Sequence, residues 1–544
     1  MYYRDINFNV NKVENMKVST IFKYIFIIFV VAIVSYAGYK IYKSKNNSEN
    51  QVVENTTEQE SIIKDIRLGI CGYDTMNPLI SNNKAILDID TLIFEPLFKL
   101  SKDYKLEPCL ATEWSKTGDN TYVVKIDNTI KWQDGAYLTA KDVQFTIDRL
   151  KEGNSIYKAN VAHVVGVEVI DATTAKITLD QEVPFFEYNL TFPIMSDLYY
   201  FNEDFFNTAK TPIGTGRFKI DNISANSVTL SKNTDWRKIS QDESKIDTIK
   251  VNLYSSMGEV FNSFKLGNVD LLNTNTQNSK DYIGTIGFNV TESAGREFDF
   301  ISLNCNDEIL QNKYVRQAIG FAIDKNSIIT SVYNNQKLLA DYPLDYGNFL
   351  YTDNNNSSGF NQEKAKQTLT DNGWIYKNNK WKKSSETTTQ TLKLKLSVCK
   401  ENESRMKVAE NIKEQLSNVG IAVTIVPLSR DQYNDCLTNK KYQMLLTGIY
   451  NSYSPDLTYF FGENNIENYN NEEVLSMINS GISTKNDKGL RENNKKLYNI
   501  YKEEMPFIGL YRNKNTTISS QSLVGDIIRN NYSTFYNISS MYRK

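Results

Sequence analysis

Histidine is all but missing from this chain: one residue in 544, His163. A Ser-His-Asp triad or an HExxH zinc site would have to be built around that single imidazole. Its place at the head of the run from Val164 to Ile170 reads instead as the start of a strand. Cysteine is scarce and scattered. Cys71, Cys109, Cys305, Cys399 and Cys436 are odd in number, far apart and free of any CxxC. That argues against a zinc ribbon and against a disulfide framework; they read as buried apolar thiols, with one bridged pair left open. An excess of one charge is also lacking. Lys plus Arg (62) nearly balances Asp plus Glu (64), so no global basic field marks a nucleic-acid partner. Gly216-Arg217 stands where a P-loop would need Gly-Lys-Ser/Thr, and tandem repeats are absent. Carboxylates are abundant, but scattered Asp and Glu are ordinarily solvated surface. No cofactor or metal is expected, and binding without turnover is expected ahead of an acid-pair hydrolase.

What remains is a long, aromatic-rich chain. At 544 residues it exceeds one hydrophobic core, so two or three lobes are expected. With 34 Tyr and a mean hydropathy of −0.46, the composition is that of a soluble globular protein. Near the N-terminus, Tyr24 to Tyr39 is a run of 16 uncharged residues, preceded by Arg4, Lys12, Lys17 and Lys23 and followed by Lys40, Lys43 and Lys45. At ~1.5 Å per residue it covers roughly 24 Å, which snorkelling lysines extend. The expected layout is a cytoplasmic segment at 1–23, a transmembrane signal anchor at 24–42 and a flexible linker at 43–61. Ser35-x-Ala37 is the alternative, a cleavage site that would release the protein.

The most informative stretch is Leu110 to Leu150. Thr121 to Ile126 alternate as a strand, Asp134-Gly135 is a tight turn, and Thr139 begins a helix. Thr139 and Asp142 have capping-box spacing, and Val143, Ile147 and Leu150 recur on one helix face. Upstream, Ile62 to Ile70 reads as a strand, Pro78 to Asn83 as loop and Ile86 to Phe94 as helix. Phe94-Glu95-Pro96-Leu97 follows. Downstream, Gly214 and Gly216 allow a close backbone approach before a strand. Gly267 ends a helix that begins before Phe264. Asn312 to Asn326 is helical, with Val315, Ile319 and Ala322 on one face and Arg316 off it in a structural role. Helices at Glu363 to Asn372 and Met406 to Asn418 close on Gly373 and Gly420, and Ile421 to Val426 is the next strand. Arg491 to Glu504 is a last long helix before Pro506 to Tyr511. Asp353 to Gly359 and Lys377 to Thr391 read as polar loops or hairpin tips.

In order and wording these motifs resemble the family 5 extracellular solute-binding proteins, the peptide- and nickel-type receptors of ABC importers. The family's L-A-x-x-W, W-x-D-G-x-x-x-T-A-x-D-V-x-F, P-x-G-T-G, R-Q-A and closing x-P-x-I-x-L-Y all have counterparts here, between about residue 62 and the C-terminus. The resemblance implies an α/β periodic arrangement of the periplasmic-binding-protein type (type II, with an extra lobe), hinged around a ligand cleft. The lobes would be 62–94 with 197–295 and 507–544, then 95–196 as the extra lobe, then 296–506. It implies an exported, monomeric receptor that binds oligopeptides and delivers them to permease subunits of an ABC transporter. It would sit on the outer face of the cell membrane. Where a lipidated Cys would follow the apolar run, this chain has Tyr39, which favours the uncleaved anchor.

The resemblance also implies the site. One ligand-binding segment corresponds to Asn82, Asn83 and Lys84. The other corresponds to Gly448, Ile449, Tyr450, Asn451, Ser452 and Tyr453, with Asp456 beyond. In the family pattern an Asp before the Tyr pairs with the peptide ammonium, because a buried unpaired charge costs several kcal/mol. Here that position is Ser452, and the family's Trp is Ile449. Asp456 is the only nearby carboxylate, and it reads either as the amine's partner or as the cap of a helix over Leu457 to Phe461. The departure leaves open a nickel chelate, an opine or an oligosaccharide as ligand, or a membrane-tethered sensor with no transport role.

Overall fold

The computed structural model describes residues 62–544 except 275–280, 283, 285, 345–346, 352–358, 484–485 and 528–532. The expected anchor at 24–42, its flanking segments at 1–23 and 43–61, and most of the polar loop at 353–359 lie outside the described residues. Among those described, no helix is long and apolar enough to cross a membrane.

Eleven strands among the described residues form one mixed sheet, ten in a row and the eleventh, Lys337–Leu339, paired off that row with Phe507–Ser520. Its centre is a pair of long antiparallel strands, Phe288–Leu303 and Phe507–Ser520. On one side Met444–Tyr450 pairs antiparallel with the first of these, followed by Lys393–Cys399 and Ala422–Leu428 in parallel. On the other side lie Leu271–Thr274, then Asp65–Cys71, then Thr248–Tyr254. Ser227–Lys232 and Phe218–Ile223 close that edge. Alternation along the long strand sends Ile301 and Leu303 into one core, and Phe298 and Phe300 into another on the opposite face. A separate four-stranded antiparallel sheet, Ala111–Gly118, Thr121–Ile126, Thr174–Leu179 and Val164–Val169, is covered by the helix Ala140–Glu152. Val143, Ile147 and Leu150 of that helix are fully buried. The Asp142 carboxylate accepts the Thr139 backbone N–H at 2.7 Å, as the capping spacing requires.

The two sheets meet where the chain crosses at Phe94 to Leu97. There the Gly216 N–H donates to the Ile93 carbonyl at 2.8 Å. A Cβ at Gly214 would overlap that carbonyl oxygen, so the two glycines serve close backbone packing. The helix expected at Ile86 to Phe94 is instead Lys84–Asp90, because the chain must leave helical geometry to make this crossing. The first strand is Asp65–Cys71. Lys377 to Thr391 is built into a small three-stranded sheet, Ile375–Lys377, Lys380–Ser384 and Thr389–Thr391. Arg316 is not off the helix's buried side: it is 3% exposed. Its guanidinium donates to the carbonyls of Glu504 and Met505, closing the C-terminal end of the helix Asp487–Glu504, and to those of Leu310 and Gln311 just before its own helix.

Candidate functional site

After the first strand the chain turns at Gly72, whose φ of 67° suits glycine, and reaches Asn83. Asn83 is engaged within its own segment. Its Oδ1 caps the helix by accepting the Ala85 N–H at 2.9 Å, and its Nδ2 donates to the carbonyls of Cys71 and Gly72, both at 2.8 Å. That rigid corner presents Asn82 and Lys84 to a cavity of ≈ 840 Å³. Lys84 Nζ lies 3.4 Å from the Tyr450 hydroxyl, so the two segments singled out in the sequence, 366 residues apart, meet across this space.

The second segment divides by position. Gly448 and Ile449 belong to the strand Met444–Tyr450, paired with Asp299 and Phe298. The room left by Gly448 is filled by the Arg405 guanidinium, which holds Asp299 at 2.7 Å. Ile449 packs against the phenylalanine core. Asn451 is buried, and its backbone N–H donates to the Arg296 carbonyl at 3.0 Å. Tyr450, Ser452 and Tyr453 line the cavity. Asp456 does not: its carboxylate accepts the Thr458 N–H at 2.9 Å and the Thr458 hydroxyl at 3.0 Å. It therefore satisfies the first N–H of the short helix Thr458–Phe461 from the residue before its N-cap, Leu457. Burial raises its pKa, and the two Thr458 hydrogen bonds pull the other way.

Several lining residues carried no recognisable sequence signal. Tyr157, Tyr188 and Trp236 supply aromatic wall, and the segment 533–538 closes one side. Arg296 is the exception, because Gly295 interrupts a strand pattern. The long strand shifts register between Ala294 and Phe298, and a side chain at 295 would overlap Asn513. Such a bulge re-aims its residues. Arg296 is thereby turned to the cavity, where its guanidinium lies 3.6 Å from the Tyr453 ring centroid and donates to the Asn451 carbonyl.

Two further groups bear on chemistry. Cys109 lines the cavity, but burial, reinforced by the Glu95 charge, pushes its thiol up to about 12, so it is not a thiolate nucleophile. His163 lies elsewhere, with Nδ1 3.0 Å from Asp180 and Nε2 3.2 Å from Gln181.

The sequence model of the bacterial extracellular solute-binding proteins, family 5 (middle region), matches residues 105–469. The chain belongs to this family. Members of family 5 are binding proteins rather than enzymes. The oligopeptide-binding protein AppA of Bacillus subtilis is 25% identical over 492 residues, which cover 85% of this chain and 88% of that protein. The dipeptide-binding protein DppE of the same organism is 27% identical over 269 residues, 45% of this chain and only 49%, about half, of DppE. The solved structure of MppA, a periplasmic murein tripeptide binding protein in its unliganded open form, matches with a TM-score of 0.75 at 16% identity. That match covers 88% of this chain and 97% of MppA. At that identity the likeness concerns the fold. This family 5 chain thus has the periplasmic-binding-protein-like α/β architecture with mixed sheets.

Proposed function

We propose that this family 5 protein is the extracytoplasmic receptor of an ABC importer, taking up oligopeptides in its cavity and delivering them to a membrane permease. The observation that carries the reading is the meeting of Lys84 with Tyr450 across a cavity of ≈ 840 Å³. That size lies within the ~300–1,000 Å³ of ligand pockets. Tyr157, Tyr188, Trp236, Tyr450 and Tyr453 offer broad aromatic surface with polar tips, which suits varied side chains better than one rigid ligand. The two relatives named for oligopeptide and dipeptide binding support the same ligand class.

In this reading the lobes are 62–94 with 197–295 and 507–544, 95–196, and 296–506, and they close over the ligand. The peptide backbone lies extended between Asn82–Lys84 and Tyr450–Tyr453, in the manner of an added strand. The signal anchor at 24–42 holds the receptor at the outer face of the membrane. The test is native mass spectrometry of protein purified without denaturation. Co-purifying peptides of mixed sequence and narrow length are expected. Empty protein whose melting temperature no peptide library moves would overturn the reading.

A further inference from the structure

The charges around the cavity do not balance. Five cationic side chains line it, Lys84, Lys99, Arg217, Lys238 and Arg296, against two carboxylates, Asp88 and Glu95. Both carboxylates already have partners. Glu95 takes the Arg237 guanidinium and, at 2.9 Å, the Thr215 hydroxyl; Asp88 takes the Thr534 N–H at 2.8 Å. Two of the cations do have carboxylates. Lys99 pairs with Glu107 at 3.4 Å, and Arg217 lies 3.6 Å from Asp242, which Lys232 shares at 3.4 Å. Lys84 and Lys238 have no carboxylate within ion-pair distance among the described residues. Beside Lys238 and Arg217, the Trp236 indole N–H is buried without an acceptor among the described residues, while the Arg217 guanidinium lies over its ring at 4.8 Å. Lys84 is exposed and Lys238 half-buried, so water solvates both in the empty cavity, and an occupant that displaces this water must replace it with acceptors or negative charge. At Ser452, where a peptide ammonium would need a carboxylate, the neighbouring lining residues include Lys84 and Arg296.

We infer that the cavity selects acidic peptides, with ligand carboxylates at the Lys84 and Lys238 positions. The inference rests on the peptide reading and names its ligand class. A cleft whose lining carries an excess of one sign of charge concentrates the opposite sign and repels its own. A basic peptide is disfavoured twice, by repulsion and by leaving the cations unpaired.

The test is calorimetric titration of the full chain with three peptides of one length and one apolar pattern. Their variable positions carry Asp/Glu, Asn/Gln or Lys. The acidic peptide is expected to bind roughly tenfold tighter than the neutral one, about 1.4 kcal/mol, and the basic one weaker still. The gap should narrow as salt rises. In Lys84→Gln/Lys238→Gln the acidic-to-neutral ratio collapses towards one; in Lys84→Arg/Lys238→Arg it is retained. Equal affinity for the three peptides, or a ratio untouched by the Gln pair, overturns the inference while leaving peptide binding intact. If none of the three binds, the peptide reading fails, and the charge selection is read with citrate against spermidine. A melting temperature raised by citrate alone supports it; one raised by spermidine alone, by both alike or by neither overturns it.

Discussion

Placing a carboxylate at position 452 asks whether this end of the cavity can be made to read a peptide ammonium. Ser452 lines the cavity, exposed, and its hydroxyl accepts the Ser454 N–H at 3.1 Å. Ser452→Asp therefore adds a negative charge without disturbing packed core. An ammonium ~4 Å from that charge gains roughly 4 kcal/mol at an effective dielectric of ~20. Desolvation of both partners offsets much of this, and a charge-assisted hydrogen bond nets about 1.5–3 kcal/mol. Arg296 takes a further share, since its guanidinium sits over the ring of the neighbouring Tyr453 and competes for the new carboxylate. The expected gain is about 1.4 kcal/mol, a factor of ten in affinity. The assay is calorimetry with one acid-rich peptide that the wild type binds, prepared with a free and with an acetylated N-terminus. Wild type should not favour the free amine. Ser452→Asp should favour it by about tenfold at low salt, and less as ionic strength rises. Equal affinity of the variant for both forms would refute the reasoning, because this region would then not face the ligand's amino end.

Asp456→Ala removes the acceptor for two Thr458 donors, so it should lower stability by about 1 kcal/mol in thermal unfolding. Peptide affinity should stay unchanged; a selective loss of free-amine over acetylated peptide would make Asp456 the amine partner after all. Arg316→Met strands the Glu504 and Met505 carbonyls at a helix end and those of Leu310 and Gln311 before its own helix, and should cost about 3 kcal/mol, read as a lower urea midpoint; a change within experimental scatter would contradict the packing described here. Glu467 is fully buried with no ion pair among the described residues, and burial raises its carboxyl well above the ordinary value of 4.5. As pH rises past that value the unfolded chain releases the proton while the fold keeps it, so stability falls with rising pH. Glu467→Gln should flatten this slope and leave the variant the more stable at pH 8; parallel stability curves for the two proteins would count against it.

The block from Leu110 to Leu150 was legible because its signals are local. Strand alternation at Thr121–Ile126, the Asp134-Gly135 turn and the Val143, Ile147, Leu150 stripe each act over a few residues, and the structure has all three. Helix ends at Gly373 and Gly420 were legible for the same reason, with φ of 84° and 81° that few other residues adopt. Arg316 was misplaced because periodicity ranks side chains by apolarity, whereas its burial depends on carbonyls supplied by a helix end about 190 residues away. The helix at Ile86 to Phe94 was overextended because its stop is tertiary: Ile93 must leave the helix to meet Gly216.

By itself, the sequence determined the family resemblance, the class of each main element and the two segments that should face a ligand, since motifs and periods are written in consecutive residues. Only the tertiary structure decided which side chains of those segments face the cavity. Asn83, Gly448, Ile449, Asn451 and Asp456 are turned to caps, strand pairing and packing, while Asn82, Lys84, Tyr450, Ser452 and Tyr453 reach the cavity. It alone brought Arg217, Lys238 and Arg296 to one space. The net charge of a cavity is a sum over residues distant in the chain, and a balanced total of 62 against 64 conceals where the positive charges gather.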